Sequence, residues 1–199
     1  ALATNDTELA GKVRKLSLHG MSKDGWARFK TGGKWRYDVS ELGYKYNMTD
    51  ISASFGLWQL QRINSWLERR REIVSEYCEQ LKDIPGILCP TALSKDHSWH
   101  LFIIQIKQEE WQISRYQLID KINEKGIGTS VHYIPVHMHS YYQKKYGFEA
   151  GDFPVAKTLS ESVITLPLYP ALKDDEISFI IETIKSLWQL MTRKFIMQF

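Results

Sequence analysis

Apolar residues recur at helical spacing in two stretches of the first 85 positions. The first stretch follows Asp6, a residue type that caps helices, and runs to Leu16. The second follows Thr49 and keeps one apolar stripe to Leu81, shortly before Pro85 and a glycine. The pattern therefore predicts a short helix, a long glycine-containing loop, and then one long continuous helix.

The pattern of the remaining residues alternates between strands and helices. A near-continuous apolar run, WHLFIIQI at residues 99–106, predicts a buried strand, and residues 129–134 and 164–168 predict two shorter ones. Helical spacing predicts helices between these runs and a last helix that begins at Asp174. Such alternation predicts a small α/β layer domain.

The length of the chain suits one domain, or one and a half. The 199 residues can bury a sizeable core, and shares of 43% hydrophobic and 25% charged residues are ordinary for a soluble globular protein. Because a very long helix usually links two domains, we predict a boundary near residue 85, with domains at 1–85 and 86–199.

The charge distribution argues against nucleic acid and membranes as partners. The net charge is +3, and the densest basic run, Arg69–Arg71, is flanked by Glu68 and Glu72, which predicts a solvated helix face with ion pairs. No apolar run reaches the roughly 18 residues that span a bilayer, and no signal peptide is visible. Cys78 and Cys89 are not spaced like zinc ligands, and lone thiols suit a reducing cytoplasm.

The segment Gly43–Asp50 combines groups that bind anions. It places Lys45 and Asn47 directly before a predicted helix start, where free N–H groups and the helix dipole attract negative charge. An ammonium and an amide at this position can hold a phosphate or a carboxylate. The other interpretation is that Asn47 and Thr49 only cap the helix, while Lys45 extends into solvent.

Three histidines lie within eight residues, at the end of a predicted strand. The strand places His132 on one face and Tyr133 on the other, and Pro135 ends it before His137 and His139. No Asp, Glu or Cys lies close enough in sequence to complete a metal site, so we expect none. The alternative to a binding cluster is one hydrogen-bonded histidine and two exposed ones.

No complete catalytic set can be recognised in the sequence. It has no glycine-rich dinucleotide motif, no P-loop, no nucleophile elbow and no HExxH motif. The residues alone therefore predict an anion-binding helix start and a histidine-bearing strand end.

Taken together, five segments resemble the DegT/DnrJ/EryC1/StrS sugar aminotransferases. In chain order they are ALATNDTELAGKVRKLSLHGM, LGYKYNMTDISASFGLWQLQRINSWLERRREI, HSWHLFIIQI, GIGTSVHYIPVH and ITLPLYPAL. They follow the family's order and cover nearly the whole chain. Within the family, GYKYN, WHLFII and GIGT are most similar to the UDP-4-amino-4-deoxy-L-arabinose–oxoglutarate aminotransferase subgroup.

The resemblance implies an α/β fold, the C-terminal part of a fold-type-I transferase in which a long linking helix joins the end of the large cofactor-binding domain to a small domain. It implies pyridoxal 5′-phosphate as cofactor, transfer of an amino group, typically from glutamate, to a keto group of a nucleotide-linked sugar, and a homodimer with shared active sites. The lysine that holds the cofactor would then lie upstream of Ala1. We accordingly expect a segment of a longer enzyme, with no catalytic residue of its own and no activity alone.

The resemblance also suggests individual site residues. Lys45 and Asn47 match the segment that reaches the cofactor phosphate or substrate of the partner subunit, where many members carry Asn and Arg instead. His132 matches a histidine near the nucleotide-sugar, and Tyr133 and His137 are expected to line the same pocket.

The glycine-containing loop supplies a further expected contact. Arg28, together with Lys34 and Arg36, is expected to approach the nucleotide diphosphate. Two other functions stay open: a non-catalytic module that binds or regulates through a sugar-nucleotide pocket, and an interaction fragment that dimerises through the long helix.

Overall fold

The computed structural model describes residues 2–21, 37–92 and 94–196 of the chain. The chain divides into two units, Ala1–Gln61 and Arg62–Phe199, called here the first and the second unit. The domain division near residue 85 stays a prediction.

The two helices described in the first unit begin at the capping residues that the sequence predicts. Helix α1 (Thr7–Leu16) begins where the carboxylate of Asp6 accepts hydrogen bonds from two backbone N–H groups of the first turn, at 2.9 and 3.0 Å. Helix α2 (Asp50–Leu60) begins where the hydroxyl of Thr49 accepts from the N–H of Ser52 at 3.2 Å. These caps satisfy donors that a helix start leaves unpaired.

Between these helices, two backbone segments cross closely at a pair of glycines. One of the bridges that join them pairs Leu18 with Lys45. Gly20 has φ +70°, and a Cβ atom there would lie 1.9 Å from the carbonyl oxygen of Glu41. A Cβ atom on Gly43 would lie 2.1 Å from the backbone nitrogen of Gly20. Only glycine fits this crossing, which fixes the backbone leading into α2.

The single long helix predicted for the middle of the chain is wrong, because two helices form instead. A two-residue turn separates α2 from helix α3 (Ile63–Leu81). The carbonyl of Arg62 accepts the first hydrogen bond of α3 from the N–H of Trp66, at 3.1 Å, so a new ladder begins there. Neither proline nor glycine marks this turn, and the apolar periodicity therefore continues through it without a signal.

The arginine run of α3 is only partly a solvated face. Two ion pairs confirm that part of the prediction: Arg69–Glu72 at 3.3 Å and Arg71–Glu68 at 3.4 Å. Arg70 instead donates from Nη1 to two backbone carbonyls, those of Trp99 at 2.8 Å and His100 at 3.2 Å. This side chain ties α3 to the segment that enters the sheet.

The second unit contains a three-stranded antiparallel sheet in the order β1-β2-β3. Its strands are β1 (Ile87–Leu88), β2 (Phe102–Ile106) and β3 (Val163–Leu166). Buried and partly buried residues alternate along the central strand β2, in which Ile104 pairs with Ile164 of β3. The strands predicted near residues 99–106 and 164–168 are thus confirmed, with shorter bounds.

The strand predicted at residues 129–134 is wrong. Ser130 forms an isolated bridge with Thr165, exchanging backbone hydrogen bonds of 3.2 and 2.8 Å. Pro135 has no N–H group with which to extend a ladder, and Val136–Met138 turns into a 3-10 helix. The histidine-bearing segment is therefore a loop that one residue attaches to the edge of β3.

Further helices follow in the second unit, and some of them share one hydrophobic core with the sheet. They are α4 (Gln108–Trp111), α5 (Arg115–Asn123), α6 (Ser140–Tyr146), α7 (Pro154–Ser162) and α8 (Asp174–Ile196). The predicted cap Ser114 starts α5 in a capping box with Gln117. The core joins α3, the sheet, α5 and α8 through residues such as Tyr77, Phe102 and Ile177. Helices α4 and α6 were not predicted because they are too short to show a period.

Candidate functional site

The predicted anion site lies in the first unit, where the chain approaches α2. Its backbone is fixed, because the N–H groups of Tyr44 and Tyr46 donate to carbonyls at the end of α1, at 2.7 and 2.8 Å. The side chain of Lys45, between these two residues, is exposed. The two tyrosine rings stack with centroids 5.0 Å apart and an interplanar angle of 3°. A charged ammonium thus extends from a rigid backbone beside exposed aromatic rings.

Asn47 and Thr49 differ in what their side chains do at the start of α2. Thr49 caps the helix, as one interpretation of the sequence holds. The Oδ1 atom of Asn47 is buried and accepts no hydrogen bond from the described residues, so Asn47 is not a cap. An unpaired buried acceptor costs about 1–3 kcal/mol. Asn47 therefore has unused hydrogen-bonding capacity next to Lys45.

In the second unit, the ring of His132 is anchored through one nitrogen. Its Nδ1 atom lies 2.8 Å from the hydroxyl oxygen of Thr165, and the ring is partly buried. The neighbouring Tyr133 is 72% exposed, and its ring lies edge-on to the imidazole with centroids 4.6 Å apart. An oriented imidazole and an exposed phenol therefore lie side by side.

His137 is buried, not exposed. It lies in the 3-10 turn, packs on Phe153 with ring centroids 4.7 Å apart, and has a buried Nε2 atom without a partner among the described residues. The interpretation with one bonded and two exposed histidines is therefore wrong for His137, whereas His139 is exposed. Pro135 did not keep His137 in solvent, because the turn that follows it folds back onto an aromatic ring.

Both cysteines are poor candidates for a nucleophile. Burial, and as a smaller cause the neighbouring Cys78, raises the pKa of Cys89 to about 12. Burial likewise raises the pKa of Cys78 above its ordinary value. A thiol must ionise to attack, so these groups stay protonated and unreactive at neutral pH.

Some of the predicted features cannot be placed in a site. Arg28, like Lys34 and Arg36, lies outside the described residues. Within residues 2–21, 37–92 and 94–196, no three His, Cys, Asp or Glu side chains are grouped so as to hold a metal ion. None of the described helices combines the length and the apolar character of a membrane span.

The second unit also has a cavity of about 530 Å³ that contains none of the predicted site residues. It lies between the turn after α5 and the start of α8, and its lining includes Gly126, Tyr169, Asp175 and Phe179. Size alone therefore does not identify the site that the sequence predicts.

The sequence profile of the DegT/DnrJ/EryC1/StrS aminotransferase family matches residues 1–185. The chain belongs to this family. The matching proteins include sugar aminotransferases, and the match confirms the family expected from the five segments.

Two curated relatives match this chain over about half of their own length. The spore coat polysaccharide biosynthesis protein SpsC of Bacillus subtilis (strain 168) is 43% identical over 188 residues, which are 94% of this chain and 48% of SpsC. The uncharacterized protein MJ1066 of Methanocaldococcus jannaschii is 40% identical over 187 residues, again 94% of this chain and 48% of the relative. The chain spans about half the length of the curated relatives it matches.

Solved structures of the family share the fold. The putative sugar aminotransferase Spr1654 from Streptococcus pneumoniae, in its PMP form, has a TM-score of 0.80 and 36% identity, and the match covers 94% of this chain and 47% of that one. A PLP form of the same protein has a TM-score of 0.79. Helicobacter pylori PseC, at 24% identity and a TM-score of 0.81, supports the fold alone. The expected α/β fold, the C-terminal part of a PLP-dependent transferase, is thus confirmed.

The structure adds Thr165, which sequence reasoning missed, to the candidate site. The available signal was a hydroxyl in the apolar strand VITL, between two residues of the core cluster. A buried hydroxyl needs a partner, so its presence in such a strand indicates a polar neighbour. The sequence could not identify that neighbour as His132, because the two are 33 residues apart.

Proposed function

We propose that this chain is part of a pyridoxal-phosphate-dependent aminotransferase that moves an amino group from glutamate to a keto carbon of a nucleotide-linked sugar. The observation that carries the proposal is the family match across residues 1–185. Because SpsC is named for polysaccharide biosynthesis, we further propose that the product serves polysaccharide or lipopolysaccharide synthesis. The unpaired thiols suit a cytoplasmic location.

The first unit offers donors that fit the phosphate of the cofactor. Lys45 is an exposed cation close to the N-terminus of α2, where the dipole favours negative charge. Asn47 adds an amide that can be turned to present either a donor or an acceptor. We propose that both residues bind and orient the phosphate. When bound, pyridoxal phosphate supplies an electron sink for the carbon that exchanges its amino group.

The second unit offers groups that suit the nucleotide-sugar. His132 is held through Nδ1, so its other nitrogen can bond a substrate oxygen. Tyr133 offers an exposed ring for stacking. We propose that the unpaired Nε2 of His137 contributes to the same pocket, and that Arg28 neutralises the diphosphate. The amide of Asn47 would then bind the cofactor, and the imidazole of His132 would bind the nucleotide-sugar.

A homodimer with shared active sites is part of this proposal. Helix α2 carries apolar residues on all sides, yet none of its residues is buried. Ile51, Phe55 and Leu57 are 73%, 65% and 64% exposed. Surfaces of this kind usually mark an interface. We propose that a second copy of the chain covers α2.

We propose that no lysine of this chain bonds covalently to the cofactor, so that the chain alone is inactive. In the family, that lysine precedes a glycine pair, whereas Thr31 precedes the pair Gly32–Gly33 here. Borohydride reduction of the chain with pyridoxal phosphate should therefore label many surface lysines weakly. A stoichiometric adduct at one lysine would contradict this part of the proposal.

Calorimetric titration of the full chain tests the two binding roles. Pyridoxamine 5′-phosphate is the cofactor probe, because its amine cannot bond to lysine; UDP-, dTDP- and CDP-glucose are the substrate probes. We expect saturable binding of both classes, and Lys45→Ala should weaken the cofactor probe about 10-fold. Lys125→Ala, which removes an exposed cation elsewhere, is the matched control.

The outcomes separate the competing functions. If the chain binds a nucleotide-sugar but does not bind pyridoxamine phosphate, the result favours the non-catalytic binding module. Binding of neither probe would contradict the proposed function. Equal losses in Lys45→Ala and Lys125→Ala would show that general charge, and not a site at α2, attracts the phosphate.

A further inference from the structure

Thr165 is a buried polar residue in an otherwise apolar strand. Its neighbours in β3, Ile164 and Leu166, belong to the core cluster, whereas Thr165 does not. Since side chains alternate along a strand, Thr165 faces away from that core, yet it is only 6% exposed. Valine would fill the same space without a hydroxyl to desolvate. A buried hydroxyl at this position is therefore expected to have a hydrogen-bond partner.

The backbone holds Thr165 from both sides. In the sheet it is paired with Ile103 of β2. On the other side its N–H donates to the carbonyl of Ser130 at 2.8 Å, and its carbonyl accepts from the N–H of Ser130 at 3.2 Å. The position of the Thr165 hydroxyl is thus set by three adjoining segments of backbone. The hydroxyl is therefore held rigidly. Ser130, which is bridged to Thr165, lies only two residues before His132 in the sequence.

The Oγ1 atom of Thr165 lies 2.8 Å from Nδ1 of His132. Either atom can donate, because the roles depend on the tautomer of the ring. If Nδ1 carried the hydrogen, the buried hydroxyl hydrogen would need another acceptor, and none is found for it among the described residues. If the hydroxyl donates to Nδ1, both groups are satisfied. The second arrangement leaves the ring hydrogen on Nε2.

We propose that Thr165 is the positioning residue for His132: its hydroxyl donates to Nδ1 and holds the ring in the tautomer whose Nε2–H donates to an oxygen of the nucleotide-sugar. This inference rests on the proposed role of His132 in substrate binding. Thr165 itself touches no substrate. It acts by fixing the rotation of the imidazole and by making Nε2 a donor, which suits phosphate, carbonyl and hydroxyl oxygens alike.

Nitrogen-15 NMR of the histidine side chains tests the hydrogen bond without any ligand. The His132 signal is assigned by its loss in His132→Ala. In the unchanged chain, the spectrum should show hydrogen on Nε2 and a bare Nδ1. Thr165→Val should shift the two nitrogens towards a mixture of tautomers, whereas Thr165→Ser should restore the original pattern. Thr183→Val is the matched control, because Thr183 is another buried threonine, 8% exposed, on α8.

Calorimetry with the best-bound of UDP-, dTDP- and CDP-glucose tests the consequence. Thr165→Val should weaken binding about 2- to 10-fold, the value of one neutral hydrogen bond, while Thr165→Ser and Thr183→Val should bind as the unchanged chain does. Circular dichroism checks that each variant is folded.

The NMR and calorimetry results test different parts of the proposal. Hydrogen on Nδ1 in the unchanged chain, or an unaltered tautomer in Thr165→Val, overturns the positioning role whatever the ligand does. A changed tautomer with unchanged affinity overturns the claim that the ring orientation serves substrate binding. A changed tautomer in a chain that binds none of the three sugars instead contradicts the proposed function, and with it the purpose of the hydrogen bond.

Discussion

The two units of the chain use their apolar side chains in opposite ways. In the second unit, α3, the sheet, α5 and α8 share one cluster in which residues such as Phe102 and Ile177 are fully covered. In the described part of the first unit, neither α1 nor α2 buries a residue, and Leu18 and Met21 are the buried apolar side chains. The second unit therefore has a hydrophobic core of its own, whereas the described residues of the first unit form no comparable cluster.

This difference shows what a helix pattern does and does not report. The apolar stripe of α3 is covered within the second unit from Ile73 to Leu81. Helix α2 is apolar on all sides, a pattern typical of buried helices, but it is exposed within its own unit. Its sequence is thus suited to an assembled state, for which we propose a second copy.

The largest expected effect comes from matched phenylalanine substitutions in the two units. Phe102→Ala removes a side chain that is 0% exposed and should lower the free energy of unfolding by about 3–5 kcal/mol. Phe55→Ala, at a position that is 65% exposed, should change it by less than about 0.5 kcal/mol at concentrations where the chain is monomeric. Urea denaturation followed by circular dichroism measures both. Similar losses would erase the contrast between the units.

The second prediction concerns the tie between α3 and the sheet. Arg70→Met removes two hydrogen bonds from a charged group to carbonyls while keeping the apolar stem, and should cost about 1.5–3 kcal/mol. Arg71→Met is the control, because Arg71 has one carbonyl partner outside α3, that of Lys95 at 3.3 Å, and a long, solvated ion pair with Glu68. It should cost less than Arg70→Met, about 1.5 kcal/mol at most. Urea denaturation measures both losses, and the part that comes from the exposed ion pair of Arg71 should shrink at high salt. A larger loss in Arg71→Met would contradict the assignment.

The third prediction compares helix caps. Ser114→Ala breaks the capping box of α5 and should lower the stability of the second unit by about 1 kcal/mol. Thr49→Ala breaks the cap of α2 and should leave the unfolding of the second unit unchanged, while increasing amide exchange in the first turn of α2. Hydrogen-exchange mass spectrometry reports each unit separately. Loss of protection across both units in Thr49→Ala would show that they unfold together.

The smallest effect should appear at alkaline pH. Burial raises the pKa of Cys89 from 9.0 to about 12, so the folded state favours the protonated thiol. The stabilising contribution is therefore complete below about pH 9 and is lost as the pH rises towards 12. Cys89→Ala has no thiol to titrate, so its stability should fall less steeply over this range. Identical slopes in the two proteins would contradict the raised pKa.

The sequence predicted the elements whose signals are local. Asp6, Thr49 and Ser114 were recognised as caps because a capping side chain bonds within three residues of itself. The central strand was recognised because both its faces are covered and its sequence is almost continuously apolar. The position of Lys45 shortly before α2 was likewise predicted, because the helix start at Thr49 has a local signal.

The sequence failed where distant contacts decide the structure. Nothing local indicates the turn between α2 and α3. Around His132 the expected strand is reduced to one bridge, which pairs Ser130 with the distant Thr165. His137 is buried because the turn that carries it packs on Phe153. The hydrogen bond between His132 and Thr165 joins residues that no short pattern connects.

The proposed function depends most on whether the second unit presents His132 to a nucleotide-sugar. The direct test is calorimetric titration of UDP-, dTDP- and CDP-glucose into the unchanged chain, His132→Ala and His139→Ala. His139 is an exposed histidine of the same segment and forms no side-chain cap on α6, so it is the matched control. We predict that His132→Ala weakens the best-bound sugar about 10-fold or more and that His139→Ala does not. Equal affinities in all three proteins would contradict the account.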